Sequence, residues 1–396
     1  MTRPRVATGC ERLLAEAETL RGRRYGLLAH GASITHDARP LHLALAASAA
    51  GPPRALFGPE HGYYGVEQDM VASADRRDPW TGAAILSLYG ETAETLRPRP
   101  EAFASLDLVL IDLQDVGSRY YTYAATAVWT AAEALVAGLE VWVLDRPNPL
   151  GGMAVEGNRL RPGFESFVGA FAGLPVRHGL TLGELVLYAG RHWRQKPRIL
   201  TLEGWRRDMA WRETGLPWIA PSPNMPAPAT ALVYGGGCLV EATELSEGRG
   251  TTRPFQLVGA PGVDPPALVR ALDERRLPGV AFLPTYFRPQ FQKHAGAVCG
   301  GVELVVTDPL LFRSYRTGVE LLRSLHDQLG EGFAWREAPY EFESERPAID
   351  LLTGCDDFRR ALERGRGVDE WVAGWAAEED AFREERRDVL LYPEEH

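Results

Sequence analysis

The chain has 396 residues, of which 45% are hydrophobic and 24% are charged, a composition that suits a folded globular protein and excludes a disordered one. The length is enough for two domains of ordinary size. The formal net charge of -10 argues against nonspecific binding to nucleic acid, because an acidic surface repels a polyanion. We therefore expect no nucleic-acid partner.

The N-terminal residues 1–20 are charged and lack the apolar stretch of a secretory signal, and no segment is apolar for long enough to cross a membrane. The cysteines Cys10, Cys238, Cys299 and Cys355 are far apart, which favours buried free thiols over a zinc site or a disulfide framework. These features predict a soluble cytoplasmic protein with no membrane partner, no metal and no cofactor.

Short apolar runs alternate with helical patterns in the first third of the chain. The runs are Tyr25–Ala29, Arg54–Phe57, Ala83–Leu88, Leu106–Ile111 and Leu139–Leu144, and the helical patterns are Glu11–Leu20 and Ala124–Ala137. Short continuous apolar runs are typical of buried parallel strands. The alternation therefore predicts an α/β fold with a Rossmann-like, doubly wound, mostly parallel sheet.

The pattern changes in the second half of the chain. A segment rich in Gly and Pro extends from Gly151 to about Gly259. After it, the helical patterns Pro266–Leu277 and Leu310–Leu329 flank a strand-like run, Gly301–Thr307. We predict a catalytic domain of residues 1–259, with Gly- and Pro-rich active-site loops at 145–255, and a smaller auxiliary α+β domain of residues 260–396.

Polar residues crowd the positions that directly follow the predicted strands. They are Glu60, His61, Asp112, Gln114, Asp115, Asp145, Arg146 and Asn148. Because parallel strands end at one edge of a sheet, and ligands bind at that edge in such folds, we expect these side chains to form an active site. Helix caps and turns are the competing explanation for each residue alone.

Several long and unusual segments carry a resemblance to a known family. They are Phe57–Gly62, Ser87–Gly90, Asp112–Tyr123, Leu144–Gly152, Ser166–Gly169, Arg177–Glu184, Pro221–Pro226, Ser246–Thr252 and Cys299–Gly301. In these segments the chain resembles the exo-acting β-N-acetylmuramidase family, formerly a domain of unknown function. It departs from the family pattern at Glu241–Glu244, usually Glu-Gly-Thr-Asn, and at Glu67–Met70, where a small Ala-Gly pair is usual.

The resemblance implies an exo-acting glycoside hydrolase that releases N-acetylmuramic acid from the non-reducing end of peptidoglycan-derived oligosaccharides. The partner would be a saccharide or muropeptide that contains muramic acid. Because the predicted cytoplasmic location differs from that of many relatives, which resemble secreted proteins, recycled wall fragments fit better as substrate than an intact wall. The oligomeric state stays open, since no self-complementary surface is evident in the sequence.

Cleavage of a glycosidic bond usually requires two carboxyl groups, one of which stays protonated to protonate the leaving oxygen. Glu60 is the predicted general acid, because it follows an apolar strand and lies between Gly58 and Gly62, which permit a tight turn. Asp115 and Asp112 are the first candidates for the second carboxyl group. Asp145 and Glu247 are further candidates, and the substrate's own acetamido group is a third possibility, since it acts as nucleophile in some hexosaminidases.

The other predicted site residues would bind the sugar. Arg119, Arg146 and Arg249 are candidates for the lactyl carboxylate of muramic acid, which a planar guanidinium can bind through two hydrogen bonds. Tyr120 and Tyr123 could stack on or hydrogen-bond to a sugar ring. The remaining candidates offer hydrogen-bonding groups, and they are His61, Gln114, Asn148, Asn224 and Glu247.

Two other functions remain open from the sequence. A metal-dependent hydrolase could use His61, Asp112, Asp115 and His178, although no motif fixes them at ligand spacing. A non-catalytic protein that binds cell-wall sugars would share the same scaffold. A dinucleotide oxidoreductase is disfavoured, because the first strand leads to His30–Ile34 and to no Gly-x-Gly-x-x-Gly motif.

Overall fold

The structure is a computed structural model that describes residues 5–337 and 339–394. A seven-stranded sheet forms its centre. The strands in chain order are β1 (Tyr25–Ala29), β2 (Ala55–Gly58), β3 (Arg76–Arg77), β4 (Ala84–Ser87), β5 (Leu108–Asp112) and β6 (Glu140–Leu144), followed, after a two-stranded hairpin described below, by β9 (Arg198–Leu200). All five apolar runs of the sequence therefore form strands of this one sheet.

The order across the sheet is β3-β4-β2-β1-β5-β6-β9, and every neighbouring pair except β3–β4 is parallel. Apart from β3, this is the strand order of a Rossmann fold. β1, β2 and β5 are buried along their whole length, which explains why β1 and β2 are unbroken apolar runs and why β5 is apolar up to its last residue, Asp112. The predicted fold class, a doubly wound and mostly parallel α/β sheet, is confirmed.

Helices connect the strands, as the sequence predicts. They are α1 (Gly9–Ala15), α2 (Leu41–Ala46), α3 (Tyr123–Val136) and α4 (Leu182–Ala189). The predicted helix Glu11–Leu20 is shorter than expected, because its second half is a separate 3₁₀ turn at Ala17–Leu20. Thr181 accepts a hydrogen bond from the Glu184 N–H, and the Glu184 carboxylate accepts one from the Thr181 N–H, which is the capping box that the spacing Thr181–Glu184 indicates at the start of α4.

The second half of the chain forms a smaller sheet with helices. β10 (Leu257–Ala260), β11 (Val280–Phe287) and β12 (Cys299–Val306) pair antiparallel, with β12 in the centre. The helices are α5 (Pro228–Gly237), α6 (Pro265–Glu274), α7 (Ser314–Leu329), α8 (Ala348–Thr353), α9 (Asp357–Glu363) and α10 (Val368–Arg386). A second, smaller unit of α+β type is therefore confirmed, while its predicted boundary after residue 259, inside β10, stays a prediction.

The two halves share one continuous core. Buried Ile111 of β5, Ala127 of α3, Val302 of β12 and Leu322 of α7 belong to the same hydrophobic cluster. A two-stranded hairpin, β7 (Glu156–Arg159) and β8 (Pro175–Arg177), extends from the first half, and α10 packs against it. The C-terminal helix thus returns to the first half, so loops of the two halves can form one site.

Tyr392 connects the C-terminal segment to the end of β6. Its hydroxyl donates a hydrogen bond of 2.6 Å to Asp145 Oδ2 and accepts one of 2.9 Å from the Leu202 N–H. We expect Tyr392→Phe to lower the free energy of unfolding by about 1.5–3 kcal/mol, because it removes a buried hydrogen bond to an acidic group. Urea unfolding monitored by tryptophan fluorescence measures the change, and Tyr286→Phe, at an exposed tyrosine, is the control. Equal stability of both variants would contradict this role of Tyr392.

The cysteines Cys10, Cys238, Cys299 and Cys355 are all buried and free, in agreement with the sequence prediction. Burial raises the pKa of the Cys10 thiol to about 12, so this thiol stays neutral. In residues 5–337 and 339–394, no helix has the combination of length and apolar character that crossing a lipid bilayer requires.

Candidate active site

A cavity of about 430 Å³, measured with its open mouth, lies beyond the end of β2. Its wall combines residues of the large sheet's loops, such as Glu60 and Thr122, with residues of the second half, such as Glu241, Arg249 and Glu341. A site of this kind exists only when both halves of the chain are folded together.

Glu60 lies two residues after β2, and its carboxyl group is held at the cavity wall. Thr122, which immediately precedes α3, donates a hydrogen bond of 2.7 Å to Glu60 Oε2. The other carboxyl oxygen, Oε1, makes no hydrogen bond within the described part of the chain. Glu60 is only 4% exposed, and its main-chain oxygen accepts a hydrogen bond from the Tyr123 hydroxyl. One carboxyl oxygen is therefore fixed and the other is available to a ligand.

The turn after Glu60 has an unusual backbone. His61 has a φ of +70° and Gly62 a φ of +74°, so the chain reverses directly after the carboxylate. A non-glycine residue in the left-handed region is strained, and such strain concentrates at functional sites. His61 Nδ1 lies 3.0 Å from the Glu67 main-chain oxygen, and the His61 side chain lines the cavity. The expected tight turn therefore includes His61 as well as Gly62.

Arg249 is surrounded by carboxylates. Its Nη2 donates a hydrogen bond of 2.7 Å to Glu241 Oε1, its Nη1 lies 3.1 Å from Asp69 Oδ1, and its Nε lies 3.3 Å from Glu247 Oε1. Lys293 Nζ donates a further hydrogen bond of 3.0 Å to Glu247 Oε2. Burial opposes ionisation of Glu241, but the Arg249 charge and hydrogen bond prevail and hold its pKa below the usual value.

Glu341 brings another carboxyl group to the same cavity. Its Oε2 accepts a hydrogen bond of 2.9 Å from the Tyr89 hydroxyl, and both Glu341 and Glu60 line the cavity. Burial, followed by the charge of Glu60, raises the pKa of Glu341 well above the usual value. The cavity therefore contains a second buried carboxyl group besides Glu60.

Asp112 and Arg146, two predicted site residues, form an ion pair away from this cavity. Arg146 Nε and Nη2 donate hydrogen bonds of 2.6 and 2.9 Å to the two oxygens of Asp112, and Nη2 also donates to the Ile34 main-chain oxygen. Arg146 and Gln114 line a different, smaller cleft, and Gln114 Nε2 donates to the Asp115 and Pro147 main-chain oxygens. Asp112 and Arg146 do lie at strand ends, as the sequence predicts, but their ion pair holds both side chains outside the cavity that contains Glu60.

Asp115 is buried close to the cavity but does not line it. Its Oδ2 accepts a hydrogen bond of 2.6 Å from the Gly117 N–H, and lies 3.8 Å from His178 Nε2. Burial raises the pKa of Asp115 to about 7 and lowers that of His178 to about 3. Asp145, another candidate, accepts hydrogen bonds from Thr181, Gly183 and Tyr392, and so caps α4.

Four further predicted residues support the site from behind its wall. Arg119 donates to the main-chain oxygens of residues 158, 174 and 352, and Asn148 Nδ2 donates to that of residue 180. Tyr123 donates to the main-chain oxygens of Glu60 and, at 2.7 Å, residue 221, while Glu247 contacts Arg249. These side chains hydrogen-bond mainly to protein groups, which a sequence does not reveal.

Five predicted residues do line the cavity, namely Glu60, His61, Tyr120, Asn224 and Arg249. The sequence prediction missed Asp69, Glu241, Tyr340 and Glu341. Asp69 lies in a segment that departs from the family pattern, and Glu241 is the glutamate that the segment Glu241–Glu244 shares with that pattern, so both segments offered a signal. Glu341 follows no strand and belongs to no motif that we identified, and only the folded chain places it here.

The described residues contain no group of three or more His, Cys, Asp or Glu side chains with the geometry to hold a metal ion. Of the residues considered for a metal-dependent hydrolase, only His61 lines the cavity. Asp112 is paired with Arg146, and His178 lies beside Asp115 outside the cavity. The acidic groups at the cavity are instead arranged around Arg249 and Glu60.

Comparison with protein families identifies the chain. Residues 25–229 match the N-terminal region, and residues 232–392 the C-terminal region, of the family described as exo-beta-N-acetylmuramidase NamZ. The chain belongs to the NamZ family. It is therefore a glycoside hydrolase of the exo-β-N-acetylmuramidase type. The two matched regions meet close to the start of α5.

Individual relatives of the NamZ family cover nearly the whole chain. The peptidoglycan beta-N-acetylmuramidase NamZ of Bacillus subtilis (strain 168) is 36% identical over 393 residues, which are 98% of this chain and 92% of that protein. Two crystal structures of DUF1343 family proteins from Bacteroides fragilis NCTC 9343 each cover 99% of this chain and 100% of their own. Their TM-scores are 0.85 and 0.77, at 30% and 28% identity.

Proposed function

We propose that the protein releases N-acetylmuramic acid from the non-reducing end of peptidoglycan-derived saccharides, with Glu60 as the general acid. The observation that carries this proposal is the geometry of the Glu60 carboxyl group in the cavity that both halves of the chain line. Thr122 occupies Oε2 as a hydrogen-bond donor, so a proton on Glu60 must reside on the free Oε1. A glycosidic oxygen bound in the cavity can receive that proton as the C1–O bond breaks.

Recognition of muramic acid requires a group that binds the lactyl ether substituent. Of the three predicted arginines, Arg249 alone lines the cavity. Its side chain is held by Glu241 and Glu247, and the third contact, to Asp69, comes from the loop that follows the Glu60 turn. We propose that Nη1 of Arg249 is the atom that meets the lactyl carboxylate, because Asp69 is the most exposed of its three partners.

The experiment is a comparison of defined substrates with the purified protein. We expect turnover of a chromogenic aryl β-N-acetylmuramide and little or no turnover of the matching N-acetylglucosaminide. Oligosaccharides with muramic acid at the non-reducing end should release it, whereas those that begin with N-acetylglucosamine should stay intact. The rate should survive a strong chelator, since the proposed chemistry uses carboxyl groups.

The possible results separate the candidate functions. Turnover of neither glycoside, together with saturable binding of the muramide, would favour a non-catalytic sugar-binding protein. Loss of turnover with the chelator, restored by added metal, would favour a metal-dependent hydrolase. Cleavage of chains that carry muramic acid only in the interior would contradict exo action.

A further inference from the structure

The segment Tyr340–Glu343 forms a tight turn with a strained backbone. The main-chain N–H groups of Tyr340 and Glu343 each donate a hydrogen bond of 2.9 Å to the other's oxygen. The two residues between them, Glu341 and Phe342, have φ values of +47° and +68°. Turns with two successive positive φ values usually contain Gly, Asn or Asp. Glutamate and phenylalanine at these positions indicate that the side chains are needed for something other than the turn.

Three contacts fix the side chains of this turn. The Tyr340 hydroxyl donates a hydrogen bond of 2.9 Å to Glu241 Oε2, and the Phe342 ring packs edge-on against Tyr89 with 5.2 Å between ring centres. The Tyr89 hydroxyl donates to Glu341 Oε2. Tyr89 belongs to Ser87–Gly90, one of the segments that carry the family resemblance. This segment therefore positions a carboxyl group that comes from the other half of the chain.

Glu341 and Glu60 have the same local arrangement. In each, one hydroxyl group, of Tyr89 or Thr122, donates to Oε2, while Oε1 makes no hydrogen bond within residues 5–337 and 339–394. Both line the same cavity and come from different halves of the chain. Most glycosidases use two carboxyl groups that flank the scissile bond, and this cavity contains two buried carboxyl groups that each have a free oxygen.

We propose that Glu341 is the second catalytic carboxyl group and acts as general base, taking a proton from the water that attacks the anomeric carbon. The inference rests on the proposed function, in which Glu60 protonates the leaving oxygen. It also replaces the earlier candidates for this role, Asp115 and Asp112, with a residue that lines the cavity.

The proposed step balances with one proton on the pair of carboxyl groups. The C1–O bond to the leaving sugar breaks, and the Glu60 proton moves to the leaving oxygen. The water oxygen bonds to C1 from the opposite face, and one water proton moves to Glu341. The products are free N-acetylmuramic acid with inverted configuration and the shortened saccharide. Transfer of the proton from Glu341 back to Glu60 restores the starting state.

The surroundings of Glu341 suit a base. Burial and the charges of Glu60, Glu241 and Asp69 all raise its pKa, whereas the Tyr89 hydrogen bond opposes them. A carboxylate of raised pKa is a stronger base than one exposed to water. Neutralisation of Glu60 removes one of the charges that raise the pKa of Glu341, while burial still raises it and keeps this carboxylate basic.

The test measures kcat, KM and product configuration on the aryl N-acetylmuramide. We expect Glu341→Gln to lower kcat by about 10²–10⁴-fold with KM little changed, since general base catalysis contributes that much. Glu345→Gln, at an exposed position of the same loop, should behave as wild type. In Glu341→Ala, azide should enter the vacated space and restore turnover, giving the α-configured glycosyl azide.

The contrary results are distinct from failure of the proposed function. If wild type cleaves the muramide but Glu341→Gln keeps more than about a tenth of its kcat, Glu341 is not the base, while the glycosidase stands. If wild type releases N-acetylmuramic acid in the β configuration, the reaction proceeds with retention and the assigned role is overturned. A β-configured azide product from Glu341→Ala would place Glu341 on the leaving-group face, as acid/base, and would overturn it as well. Thermal unfolding of each variant confirms that it is folded, and failure of wild type itself would reject the proposed function.

Discussion

Glu60→Gln is expected to lower kcat by about 10²–10⁴-fold on an unactivated muramyl saccharide, the contribution usual for a general acid. Glutamine keeps the shape of the side chain and can still accept the Thr122 hydrogen bond through its amide oxygen, but it has no proton to give. KM should change little, because binding depends mainly on other groups. Steady-state kinetics measure both constants.

The leaving group provides an internal control for this assignment. An aryl glycoside with an acidic phenol needs less protonation, so the loss in Glu60→Gln should be much smaller on that substrate than on a saccharide. Glu67→Gln is the matched control, because among the described residues this nearby carboxylate hydrogen-bonds to the exposed Arg76 side chain alone. Equal losses on both substrates would argue against proton donation by Glu60.

Arg249→Met is expected to lower the free energy of unfolding by about 3–5 kcal/mol at pH 7.5, the usual effect of removing one partner of a buried ion pair. The variant leaves Asp69, Glu241 and Glu247 without their shared cation. Lys293 still contacts Glu247 but is no substitute for the planar guanidinium. Thermal and urea unfolding measure the change.

The pH dependence of this loss has a definite sign. In wild type, Arg249 holds the pKa of Glu241 below its usual value against burial, so this contribution to stability is present at neutral pH and is lost as the pH falls. Without Arg249, burial dominates and the carboxylates favour protonation, so the variant should approach wild type as the pH is lowered from 7.5 to 5. Arg253→Met, whose ion pair with Glu303 is partly exposed, is the control and should show little change at either pH.

The sequence predicts the large sheet well because its signals are local. An unbroken apolar run such as Leu108–Ile111 is buried on both faces, and the polar residues that follow it lie at the sheet edge whatever the rest of the chain does. The same reasoning places Glu60 at the cavity, since only Pro59 separates it from the end of β2. The capping box at Thr181 is likewise local, and it is present.

Which side chains share the site depends on distant contacts that the sequence pattern does not contain. The sequence alone does not distinguish the three candidate arginines, Arg119, Arg146 and Arg249. In the structure, main-chain carbonyl oxygens surround Arg119, Asp112 pairs with Arg146, and only Arg249 reaches the cavity. The position of Glu341 in the cavity is even harder to predict from the sequence. It depends on a strained turn of the second half of the chain and on a hydrogen bond from Tyr89, 252 positions away.

The most direct test is a crystal structure of the Glu60→Gln variant with a disaccharide of N-acetylmuramic acid linked to N-acetylglucosamine. We predict that the N-acetylmuramic acid ring lies in the cavity that Glu60 lines, with its glycosidic oxygen within about 2.6–3.2 Å of the side chain at position 60. Glu341 should face the other side of the anomeric carbon across a water molecule. A disaccharide bound elsewhere, such as in the cleft beside Arg146, with this cavity unoccupied, would contradict the account.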